Sequence, residues 1–182
     1  MPRIPQPLKA EFTSEQEEVY AVLASGRKRG VAGPLLTFLY SPKLARLAQE
    51  TGTFCRSGTR LPVRLSELAI LTVVSIWKAG FAWHGHQSLA IAAGIAPEIT
   101  EALSCGKTPA FSQSDEAAVY GFVREIVKDH QVSDATFKSL SEKLDPPAMV
   151  ELIAIIGYYS MLSMTITAFD LDAGPEGNPF TI

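Results

Sequence analysis

The chain has 182 residues, 47% of them hydrophobic, and a formal net charge of −3. That length fits one domain, and that apolar content fills a core, which excludes a disordered chain. The longest basic run is Arg27-Lys28-Arg29, which reads as a cationic cap at a helix C-terminus rather than a nucleic-acid site.

Residues 1–12 are rich in proline and carry no apolar signal-peptide core. Ser14-x-x-Glu17 fits a capping box, so a helix is expected from there to about Arg29, stopping at Gly30. Pro34 and Pro42 each suit a first helical position, with Ser41 as the cap before Pro42. The second of these helices runs to about Cys55, and Gly58 marks a break. Arg64-Leu65-Ser66-Glu67 then leads into an almost wholly apolar run from Leu68 to Trp77. Its β-branched residues allow a strand, but its length favours a buried helix. Ala79-Gly80 interrupts it. Further helices are expected over about 82–93, ending at Gly94, from Pro97 to near Gly106, from Ser114, and over 134–144.

Pro146 and Pro147 are expected to start the last helix, whose apolar stretch runs over 148–169. It is long enough to span a bilayer, and its only charge is Glu151. Its serines and threonines and the absence of a flanking basic cluster favour a buried helix instead, with part of it covered between subunits. The tail from Ala173 is irregular. The fold class is all-α, about eight helices in a single domain spanning 1–182.

The two cysteines, Cys55 and Cys105, form neither a redox C-x-x-C nor a zinc knuckle. The expectation is a reduced, cytoplasmic protein whose two cysteines do not pair with each other. His84 and His86 are two residues apart, so they face different sides of a helix and make a poor metal pair. No metal or cofactor is expected.

The stretch ELAILTVVSIWKAGFAWHGHQSLAIAAG, Glu67 to Gly94, resembles the signature of the carboxymuconolactone decarboxylase / alkylhydroperoxidase D-like family. The matching positions are Glu67, Trp83, His86, Ala90, Ala93 and Gly94. Gly33-Pro34 with Ser41-Pro42 is similar to the family's entry segment, and Glu151 with Gly157-Tyr158-Tyr159 to its last long helix. The likeness spans roughly residues 30–170. It implies a homotrimer or homohexamer of helical subunits and one of two chemistries. One branch decarboxylates a small lactone acid. The other reduces hydroperoxides with C-x-x-C-x-x-x-H preceded by a Glu. On that motif the cysteines fall on Ala79 and Ala82, which cannot form a thiolate, and the Glu and His on Glu67 and His86.

The leading expectation is therefore a lyase-like enzyme acting on a small carboxylic acid or lactone. His86 would be its acid/base, because imidazole titrates near neutrality, and Glu67 the partner of His86. Arg64, Trp83, His84 and Tyr158 are candidate substrate contacts, with Tyr159 beside them. Each also has a plain reading: a core histidine, a helix-start Glu or Arg, and aromatic packing. A straight hairpin would leave Glu67 about 18 Å from the turn and far from His86, so their pairing rests on the resemblance. The alternatives are a non-catalytic relative that binds a small ligand or partner, and, last, a peroxide reductase built on Cys55 or Cys105.

Overall fold

Prolines and glycines set most of the boundaries. The computed structural model describes residues 2–25 and 30–180. Among them are nine α-helices and no strand: α1 Ser14–Ala24, α2 Pro34–Thr37, α3 Pro42–Ser57, α4 Val63–Ile76, α5 Gly80–Ala92, α6 Pro97–Ser104, α7 Ser114–Arg124, α8 Asp134–Ser141 and α9 Pro146–Phe169. Proline occupies the first turn of α2, α3, α6 and α9, where its missing N–H costs nothing. Past its end α7 widens into one π turn, Glu125–Asp129, closed by His130 in a left-handed conformation.

Helix α1 differs from expectation by one residue at its start. Its capping box is Thr13 with Gln16, not Ser14 with Glu17: the Thr13 hydroxyl accepts from the Gln16 N–H, and the Gln16 side chain accepts from the Thr13 N–H. Both pairs fit the pattern. Gln16 has the added gain that its amide donates to the Leu39 carbonyl at 2.9 Å. The predicted cap at Arg27-Lys28-Arg29 lies outside the described residues.

Helix α4 is the centre of the molecule. It packs against α5, α7 and α9 and also touches α3 and α6, and every residue from Leu65 to Val74 is buried. A helix surrounded on all sides needs apolar residues all round, which is why this segment lacks a polar face. Burial also outweighs the weak helix preference of Ile70, Val73 and Val74. Cutting Leu71 back to alanine here would cost about 2–5 kcal/mol. Helix α9 is long and apolar enough to cross a membrane by length and composition. In this fold it lies along α4 and α3 and buries Leu152, Ile155, Tyr159 and Ile166.

The α4–α5 turn falls where Ala79-Gly80 was expected to interrupt the helix, and the residue with positive φ is Lys78, at 54°. Gly80 opens α5 because a Cβ there would press on Ala173 and Asn178 of the C-terminal tail, at 2.9 and 3.0 Å. That tail is irregular, as expected, yet it is packed: Phe180 is buried edge-on against Trp83.

Candidate functional site

Glu67 and His86 come together. The carboxylate Oε2 lies 2.7 Å from His86 Nδ1, and the two side chains are only 8% and 12% exposed. A carboxylate oxygen accepts, so Nδ1 carries the proton and Nε2 is left as the second ring position. No described residue hydrogen-bonds to Nε2.

The spacing that opposed this pairing resolves through the actual helix limits. Helix α4 ends at Ile76, nine residues after Glu67, and α5 begins at Gly80, six before His86. At 1.5 Å per residue the two positions differ by about 4–5 Å along the hairpin, less than one turn. Glu67 would lie about 18 Å from the turn only if α4 reached Ala79, with α5 beginning near Ala82.

Tyr159 of α9 closes one side, its ring perpendicular to that of His86 at 5.0 Å between centroids. Burial pushes the Tyr159 phenol above its ordinary range, outweighing the opposing charge of Arg56. Tyr158 in turn meets Tyr159 edge-on at 5.2 Å. It fits because position 52 on α3 is glycine, where a Cβ would collide with the Tyr158 hydroxyl.

A groove of about 660 Å³ reaches this region. Val63, Arg64 and Glu67 of α4 line it, with Leu89 and Ala92 of α5 and Arg56 of α3. His86 was expected to line the pocket. Instead Glu67 is on the groove wall and the imidazole sits behind it, off the lining.

Arg64 lies on the groove wall with its guanidinium already engaged. Nη1 binds Glu116 Oε1 at 2.5 Å and Nη2 binds Asp115 Oδ2 at 2.6 Å. Glu116, 2% exposed, also accepts from Gln113. Burial raises the Asp115 carboxyl, but its bonds to Arg64 and to the Glu116 N–H outweigh that and hold it below the usual carboxylate range. The same bonds hold the Arg64 guanidinium above its ordinary value. Arg56, exposed on the rim of the same groove, makes no ion pair among the described residues.

Trp83 and His84 are not brought to the groove. The Trp83 indole N–H donates to Gln87, and its ring packs on Phe180. His84 faces the tail, with Nε2 at 2.7 Å from the Gly177 carbonyl and Nδ1 at 3.1 Å from Glu176. Both oxygens are acceptors, so both contacts form together only on a doubly protonated ring. Among the described residues no group of three or more His, Cys, Asp or Glu side chains is placed to hold a metal. Cys55 is buried and Cys105 exposed, and both are free. Burial pushes the Cys55 thiol up, against the opposing charge of Arg56.

No family model and no curated protein sequence matches the chain. Solved structures do match over nearly its whole length. An uncharacterized peroxidase-related protein from Silicibacter sp. TM1040 is 12% identical, with a TM-score of 0.75, covering 98% of this chain and 95% of its own. An alkylhydroperoxidase AhpD core protein from Ralstonia eutropha JMP134, also described as peroxidase-related, is 13% identical with a TM-score of 0.75, covering 96% and 93%. The chain has the AhpD-like fold. The debrominase Bmp8, as a C82A variant in complex with 2,3,4-tribromopyrrole, is 19% identical with a TM-score of 0.72, covering 96% and 92%. At these identities the AhpD-like neighbours speak for the all-helical architecture and not for a reaction.

Proposed function

We propose that this AhpD-like chain belongs to a branch of the carboxymuconolactone decarboxylase / alkylhydroperoxidase D-like family that lacks the C-x-x-C motif. In this reading it is a lyase acting on a small carboxylic acid or lactone. The observation that carries the proposal is the 2.7 Å Glu67–His86 pair, whose other ring nitrogen has no partner among the described residues. Glu67 holds the proton on Nδ1 and stabilises the imidazolium. His86 Nε2 is then the position that gives or takes a proton, which requires the ring, set behind Glu67, to reach the groove once a substrate is bound. In a decarboxylation the carbon–carboxylate bond breaks, its electrons pass into the neighbouring carbonyl as an enolate, and a proton returns to carbon. The apolar wall of Val63, Leu89 and Ala92 suits a small ring. With Arg64 bound to two carboxylates, Arg56 is the better-placed cation for a substrate anion.

Purified protein screened against small lactone acids by mass spectrometry tests this, with loss of carbon dioxide as the expected result. His86→Ala should then lower turnover about 100-fold or more, and His84→Ala should leave it nearly unchanged. Equal losses from the two would mean that the wrong histidine carries the reaction. Saturable binding with no product would instead support a non-catalytic ligand-binding protein using the same groove. Thiol peroxidase activity is the least supported reading: the sequence holds no C-x-x-C, and a buried thiol with a raised pKa makes little thiolate.

The proposal extends to assembly. Helix α9 leaves Val150, Ile153 and Met164 exposed, more apolar surface than a lone helix of a bundle presents. Light scattering at micromolar concentration should give a trimer or hexamer, and a stable monomer would refute that part.

A further inference from the structure

A second cavity, of about 150 Å³, lies at the other end of α4. Thr72 and Ser75 from the last turns of α4 and Tyr120 from α7 line it. Four cationic side chains share its wall: Lys78, Lys107, Arg124 and Lys128. No carboxylate of the described residues does. Of the acids nearest in sequence, Glu125 turns away to Ser133 and Thr136 at the start of α8, and Glu101 and Asp129 are not on the wall.

Cations gather naturally at helix C-termini, and three helices end here: α4 at Ile76, α6 at Ser104, and the widened end of α7 at Asp129. Each end carries roughly half a negative charge. Three ends therefore supply about one and a half negative charges against four full positive ones. The dipoles explain part of the cluster: even with Lys78 left out, Lys107, Arg124 and Lys128 exceed them by about one and a half positive charges, in a chain whose net charge is −3. Lys107, Arg124 and Lys128 make no ion pair among the described residues, although Glu125 feels the charge of its neighbour Arg124. The Tyr120 hydroxyl makes no hydrogen bond there either.

We propose that this cavity binds a phosphate or pyrophosphate group of a small molecule. Ammonium and guanidinium groups are the usual partners of phosphate oxygens. The cavity is smaller than the ~300 Å³ lower bound of common ligand pockets, which fits an anionic group rather than a whole cofactor. The groove at Glu67 draws on the first turns of α4 and this cavity on its last, so the two sites are separate. This assignment does not depend on the reaction proposed above.

The test is isothermal titration calorimetry of the full chain with inorganic pyrophosphate and with inorganic phosphate, at ionic strength matched by sodium chloride. The expected result is saturable binding, tighter for pyrophosphate. Arg124→Gln combined with Lys128→Gln should weaken it at least about tenfold. Lys43→Gln combined with Arg46→Gln, on the exposed side of α3, should leave it unchanged. Circular dichroism of each variant confirms the fold before titration. Absence of saturable heat in the wild type would overturn the proposal. So would equal loss in both double variants, or no loss in the first.

Discussion

Two charged groups sit one turn apart on α4, the partly buried Arg64 and the buried Glu67, and they are finished differently. Arg64 meets two carboxylates at the first turn of α7, and those carboxylates take further bonds from Gln113 and from a backbone N–H. The positive end of α7 adds to the fit. Glu67 meets one imidazole, and that imidazole has a ring nitrogen left over among the described residues. A closed set of bonds locks two helices together, whereas an open one leaves a position for something else. The same helix, within four residues, supplies a structural clamp and a chemical handle.

Breaking the clamp should show the largest effect on stability. Arg64→Met leaves the nearly buried Glu116 without its cation, at a cost of about 3–5 kcal/mol, read by urea denaturation. By contrast Arg60, 64% exposed and 3.8 Å from Glu151, should cost under about 1 kcal/mol as alanine. Comparable losses at the two sites would refute the distinction.

The handle should behave in the reverse sense. Glu67→Gln keeps a hydrogen-bond acceptor near Nδ1 but removes the charge that stabilises the imidazolium. Turnover should fall about 10-fold or more, with a change in denaturation midpoint much smaller than that of Arg64→Met. A large stability loss with unchanged turnover would reassign Glu67 to the clamp.

The wall behind the handle can be probed through its glycine. Gly52→Ala pushes a methyl into the Tyr158 hydroxyl and should destabilise by about 1–3 kcal/mol. Gly157→Ala, where a Cβ meets nothing within 4 Å, should stabilise α9 by up to about 1 kcal/mol.

Acid gives the smallest test. The Asp115 carboxyl titrates below its ordinary value, so its contribution is complete above the unfolded-state value near 3.9 and is lost as pH falls through the lower folded value. The urea midpoint of the wild type should drop below about pH 4, and that of Arg64→Met should drop less. Parallel curves would remove Asp115 from the clamp.

Much of the helix plan is legible in the sequence because prolines, caps and glycines are local signals. Eight of the nine helices begin within a few residues of where such signals place them. The π turn after α7 has no local signal: Ile126 continues the apolar side of the helix, so the segment reads as ordinary helix. The clamp is not legible either: Asp115 and Glu116 read as acids opening a helix, which they are, and nothing local links them to an arginine 51 residues earlier. Glu67 and His86 are visible as residue types, and their pairing follows from the resemblance and from helix limits that only the folded chain defines. Arg56 and Tyr159 enter by packing. Arg56 looks like any basic residue in a last helical turn, and Tyr159 differs from Tyr158 only by the ~100° step between neighbours on a helix.

The π turn at Glu125–Asp129 sets an angular phase. It holds one residue more than an α turn of the same span. The side chains at its end therefore point up to about 100° away from where an unbroken α-helix would send them. Glu125 stands at its start and reaches across to Ser133 and Thr136, which fixes the exit of the chain toward α8. Deleting Val127 would restore the regular winding and swing Lys128 off the cationic cavity, while the α7 residues before Arg124 kept their places. One surplus residue thus decides which way the end of a helix faces.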